Sequence, residues 1–143
     1  MRVSELYERV WNIRSQVNGF SVLLATPDLT PGDDVDVLLS GIGWVEVADD
    51  AGEVRLYPAS AVTEETSDQR VECVEHLLQQ LPFDVSVTGD FRIVVELPLQ
   101  RDGSGLIRKA LTDVCEMHVG AEAQEVWLLV GPAQNFPTDQ LPA

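Results

Sequence analysis

A chain of 143 residues, 45% hydrophobic and with a mean hydropathy of +0.02, can bury one core and is too apolar to be disordered along most of its length. Nine Lys and Arg against 24 Asp and Glu leave a formal net charge of −15, which opposes nucleic-acid binding and electrostatic attachment to anionic membranes. With no apolar run near the roughly 20 residues of a membrane span, a charged amphipathic start and only two cysteines, the expectation is a cytoplasmic protein with free thiols.

Residues 4 to 18 carry Leu6, Tyr7, Val10, Trp11 and Val17 at helical spacing, with Ser4 as a candidate cap and Asn18-Gly19 as a stop. Four runs with strand character follow, at 20–25, 35–40, 44–48 and 53–57. Val45 and Val47, then Val54 and Leu56, alternate with polar neighbours, as half-buried strands do. Asp49-Asp50-Ala51-Gly52 between the last two is a hairpin turn, with Gly52 at the place for a left-handed residue.

Further along, the spacing predicts a helix over 67–81 that ends at Pro82. Strands are expected at 84–88 and 91–97, joined through Gly89-Asp90. Leu106, Ile107, Ala110, Val114 and Met117 then predict a helix over 104–119, and 125–130 reads as a last strand. No internal repeat is visible. The expected fold class is α+β, a mainly antiparallel sheet with two or three helices packed on one face. A ferredoxin-like wiring is one way to build the second half. Residues 1–130 form one domain on this reading, with 1–62 as helix plus β-meander and 63–130 as α-β-β-α-β. A proline-containing segment, 131–143, is expected to be a flexible tail.

The acids are unevenly spread. Between residues 28 and 75 there are thirteen, against Arg55 and Arg70 alone, a net of −11 out of −15. Such a surface can steer and select a basic macromolecular partner. The residues assigned to partner binding are Asp28, Asp33, Asp34, Asp36, Trp44, Glu46, Asp49, Asp50 and Glu53. Trp44 is included as an aromatic contact beside the acidic hairpin. The alternative is a metal-dependent phosphoryl-transfer or hydrolytic enzyme, in which the carboxylates of the Asp28–Asp36 cluster bind hard divalent cations. Against it, no His or Lys occurs nearby to assist, and the spacing misses the calcium-loop pattern.

Cys73 and His76, and Cys115 and His118, form two i, i+3 pairs on expected helices, which could in principle supply four zinc ligands. His118 falls toward the apolar face of its expected helix and His76 on the polar side of its own, so convergence on one ion is not expected, and no metal or other cofactor is assigned. No Gly-x-Ser-x-Gly elbow is present, and Gly103-Ser104-Gly105 is explained as a helix start. No catalytic residue is assigned.

Ser21 to Val54 contains a strand, Thr26-Pro27, Gly32-Asp33, a second strand and the Asp49-Asp50-Ala51-Gly52 turn, and Leu106 to Met117 has the character of a late helix. In that order the motifs resemble an uncharacterised domain family of prophages and bacterial mobile elements. Asp28 stands where that family has an aromatic residue and Ala48 where it has a threonine, and no functional residue carries over. The resemblance implies a small non-enzymatic accessory protein. Together with the charge, it leads to the expectation of a binding protein, of phage-inhibitor, immunity or antitoxin type, that occludes a basic partner. A net charge of −15 per subunit limits self-association to a monomer or homodimer.

Overall fold

The structure, a computed structural model, describes residues 1–28, 36–59, 70–81, 90–101 and 107–131. In chain order these form α1 (Val3–Trp11), α2 (Arg14–Val17), β1 (Ser21–Asp28), β2 (Asp36–Ala48), a single 3₁₀ turn (Asp49–Ala51), β3 (Glu53–Pro58), α3 (Val74–Gln80), β4 (Arg92–Arg101), β5 (Ile107–Gly120) and β6 (Glu125–Val130).

Each strand pairs with the next, and β6 returns to β1, so the sheet is a closed barrel. Pairing is antiparallel except at β3–β4 and β6–β1, which are parallel. Parallel neighbours need a long crossover, and α3 lies within the one between β3 and β4. The expected α+β fold, ferredoxin-like or otherwise, is therefore incorrect. An alternating strand can bury its apolar side against helices or against the opposite wall of the same curled sheet. Here Val22, Leu24, Ile42, Val54, Leu56, Ile93, Val95, Val114, Val126 and Leu128 meet inside the barrel, and closure also removes the sheet edges.

The expected helix over 104–119 is strand β5 where described. Its inward residues are Val114, Met117 and Val119, which pack into the core. A bulge between Val114 and Glu116 inserts one residue, Cys115, into the strand. The spacing from 114 to 117 consequently imitates a helical turn. A bulge at the matching place in β2, between Ile42 and Trp44, explains why one 13-residue strand reads as two in the sequence. Before its bulge β2 pairs with β1, and after it with β3; β5 divides likewise between β4 and β6. β4 pairs with β3 and β5 rather than with a preceding hairpin strand. The expected strand at 84–88 lies outside the described residues, as do 132–143 of the expected tail.

A two-fold internal repeat, not expected from the sequence, relates the halves of the molecule. Each consists of helix, strand, strand, strand. Val3, Leu6 and Val10 of the first helical face correspond to Val74, Leu77 and Leu81, 71 positions on, and all six are buried. The Val3 N–H donates to the Phe91 carbonyl at 2.9 Å, and the Val74 N–H to the Phe20 carbonyl at 3.0 Å. Arg92 N–H bonds to Gly52 O, and Ser21 N–H to Gln124 O, both at 3.0 Å. The two turn residues that precede β3 and β6, Gly52 and Gln124, share a left-handed conformation, φ 65° and 54°. In sequence the kinship survives in Glu53-Val54-Arg55-Leu56 and Glu125-Val126-Trp127-Leu128.

α1 and α3 lie at one end of the barrel. Arg2 bridges to Arg92 and Cys73 to Ser21, so each helix begins beside a strand start of the other half. The Met1 amino group bonds to the Val114 carbonyl, and the Val71 N–H to the Ile42 carbonyl at 3.1 Å. Ser4 is not an N-cap, because α1 begins one residue earlier and its N-cap is Arg2. Instead, Ser4 gives its N–H (3.1 Å) and hydroxyl (2.7 Å) to the Asp90 carboxylate, which satisfies free donors of the first turn. Among the described residues no helix is long and apolar enough to cross a membrane.

Candidate functional site

Glu53 pairs with Arg92 and Glu125 with Ser21, so the starts of β1, β3, β4 and β6 share the helix-bearing end of the barrel. The β2–β3 and β5–β6 turns are there as well. At ~3.3 Å per residue, the thirteen residues of β2 run about 40 Å, less its curvature. That length separates the nine residues assigned to partner binding. Asp28 and Asp36 face each other across β1–β2 at the far end, and Asp33 and Asp34 lie outside the described residues. Trp44, Glu46, Asp49, Asp50 and Glu53 sit toward the helix end.

The second group divides again by chemistry. Asp49 and Asp50 are exposed in the 3₁₀ turn. Trp44, Glu46 and Glu53 belong to a strip on the outer wall. Cross-strand pairing sets Trp44 against Tyr57 and Glu46 against Arg55. The two rings stack at 3.9 Å between centroids, with 6° between planes. Arg55 lies 3.7 Å from both Glu46 and Glu53. Glu53, 9% exposed, also lies 3.7 Å from Arg92, which reaches Asp113 at 3.9 Å. Charges of alternating sign thus cross β2, β3, β4 and β5. Burial pushes the Tyr57 phenol above its ordinary value of 10.0, with further contributions from the Glu46 and Glu96 charges and a hydrogen bond to Glu96. The sequence marks Glu46, Glu53 and Trp44 of this strip but not Arg55, Tyr57, Arg92 or Asp113. The alternation in Glu53–Tyr57 puts Arg55 and Tyr57 on one face and was the available signal.

The matching wall of the other half is different. Around Ala25 and Leu129, both buried, lie Val37, Cys115 and Trp127. The Trp127 indole N–H is shut off from solvent and has no acceptor among the described residues.

Cys115 and His118 sit on strand β5 and not on a helix, whereas Cys73 precedes α3 and His76 is exposed on it. Among the described residues no group of three or more His, Cys, Asp and Glu is placed to hold a metal ion. Burial raises the Cys115 thiol above its ordinary value of 9.0, the opposite of what activates a cysteine nucleophile. His118 approaches Glu116 at 3.7 Å, with 31% and 43% of their side chains exposed.

The helix end is acidic. Asp49, Asp50, Glu72 and Glu122 are exposed there, and among the described residues none of the four forms an ion pair. Asp50 and Glu122 occupy equivalent places in the two repeats. Sequence reading missed Glu122 because it falls outside the densest acidic stretch. Comparison with protein-family models, with curated proteins and with solved structures finds no match.

Proposed function

We propose that the chain is a binding module that docks the helix-bearing end of its barrel onto a basic macromolecular partner. The supporting observation is the set of exposed acids at that end, Asp49, Asp50, Glu72 and Glu122, which lack ion pairs among the described residues. Solvated charges outside the scaffold's own ion pairs contribute little to stability and are available to attract an oppositely charged surface. The inhibitor, immunity and antitoxin types share this mode of action, in keeping with the resemblance of Ser21 to Val54 to a prophage domain family, and a cytoplasmic setting belongs to the same proposal.

The test is capture from the native host at about 50 mM salt and elution at about 500 mM, with wild type and an Asp49→Lys, Asp50→Lys, Glu122→Lys variant as parallel baits. The proposal expects the variant to melt like wild type and to lose the captured basic protein. Retention of that protein by the variant, or elution independent of salt, contradicts it. Metal-dependent phosphoryl transfer has one observation in its favour, the pairing of Asp28 with Asp36. Saturable stoichiometric Mg²⁺ or Mn²⁺ binding in calorimetry, lost in Asp36→Asn, favours that enzyme instead.

A further inference from the structure

A cleft of about 320 Å³ lies between α1–α2 and α3, close to the lower limit of the roughly 300–1,000 Å³ usual for ligand pockets. Its walls follow from helical spacing. Tyr7 and Trp11, four residues apart on α1, hold their rings 5.1 Å apart. The Arg14 guanidinium lies 3.6 Å over the Trp11 ring. Leu78 of α3 and Val10 supply aliphatic surface. At the inner end the Glu75 N–H donates to the Asn18 carbonyl at 3.1 Å, which brings the start of α3 against the end of α2.

Three features of this cleft stand apart from the buried core. Trp11 is 46% exposed, although the buried face of its helix is made by Val3, Leu6 and Val10. Arg14 and Glu75 both line the cleft, and among the described residues neither forms an ion pair. The Asn18 side-chain carbonyl is shut off from water and has no donor among the described residues. Nor does the internal repeat demand this chemistry, since the position equivalent to Tyr7 is Leu78. In a chain of charge −15 the cleft is electrically balanced, with one cation and one carboxylate beside an aromatic wall. A ligand that carries both charges can engage Arg14 and Glu75 together, whereas a simple anion or a simple cation engages only one of them.

We infer that this cleft binds a small zwitterion with an apolar side chain, that is, a free aromatic or branched α-amino acid. Arg14 takes the carboxylate, a geometry suited to its planar fork. The ammonium group is taken by the Glu75 carboxylate, and the side chain packs on Trp11 and Leu78. The cleft lies at the same end as the proposed docking surface but shares none of its four acids, so each test can fail without the other.

The test uses the full chain, with L-phenylalanine as probe and two derivatives that each lack one charge: N-acetyl-L-phenylalanine and L-phenylalaninamide. Calorimetry gives affinity, and NMR shifts of the Trp11 indole N–H and the Asn18 side-chain amide give location. Saturable binding of L-phenylalanine in the micromolar to low-millimolar range is expected, as fits a ligand of its size. Each derivative should bind at least about tenfold more weakly. Arg14→Met should abolish the preference over the amide, and Glu75→Gln the preference over the acetylated form. Both residues are exposed and the variants should melt like wild type. No saturation by about 10 mM, equal affinity for all three compounds, or shifts confined to residues outside the cleft overturns the inference.

Discussion

Glu53 shows how one side chain can satisfy two pressures at once. It pairs with Ala48 in the ladder and is nearly buried, yet it lies 3.7 Å from each of Arg55 and Arg92. Both arginines are partly exposed, which weakens their attraction through solvent screening. Glu53→Gln is therefore expected to lower stability by about 1–2 kcal/mol, whereas Asp49→Asn and Asp50→Asn should each change it by less than about 0.5 kcal/mol; thermal melts separate the two. Tyr57 adds a pH dependence. Its phenol is raised above 10.0 by burial first and then by Glu46 and Glu96. The neutral form is favoured by folding, so the stability it contributes is complete below pH 10.0 and is lost as pH rises through the raised folded value. Melts between about pH 8 and 11 should show a steeper alkaline decline for wild type than for Tyr57→Phe, and parallel declines would refute this role. In the sequence, Glu53 and Trp44 could be marked only as acid and aromatic. Their partners lie on neighbouring strands, and strand pairing is not written in local spacing.

Single-residue insertions govern the strands. β6, which lacks a bulge, was legible at its full extent, and the Asp49–Gly52 turn announced its left-handed glycine. The bulged strands misled because an extra residue at 43 or 115 converts the period of two into a step of three. That step removed β5 from the expected sheet and added a helix in its place. The repeat also offers a controlled comparison between elements. Gly52 and Gln124 hold the same left-handed turn conformation, but only Gly52 is free of the steric cost that a Cβ imposes there. Among the described residues nothing lies within 4 Å of a Cβ placed on Gly52, so Gly52→Ala should cost about 1 kcal/mol through the backbone alone. Gln124→Gly should leave stability unchanged or raise it by up to about 1 kcal/mol. Denaturant titration of both variants checks the pair, and equal destabilisation by the two would contradict the shared turn geometry.

Over the whole molecule, the hydrophobic pattern revealed which residues are buried but not how the sheet closes. In the barrel the interior draws equally on both halves, with Val22, Leu24, Val54 and Leu56 meeting Ile93, Val95, Val126 and Leu128. Leu6→Ala and Leu77→Ala, equivalent positions under the helical caps, should accordingly cost similar amounts, each about 2–4 kcal/mol. Recognition is assigned to one end, where the turns of both repeats meet, and not to one half of the sequence. The most direct measurement is residue-resolved amide hydrogen exchange under native conditions. A single closed barrel predicts that the amides of Leu24, Leu56, Val95 and Leu128 exchange through one cooperative opening, with protection factors within about tenfold of one another. Exchange of Leu24 and Leu56 about a hundredfold or more faster than Val95 and Leu128 would show two independent units and contradict the barrel.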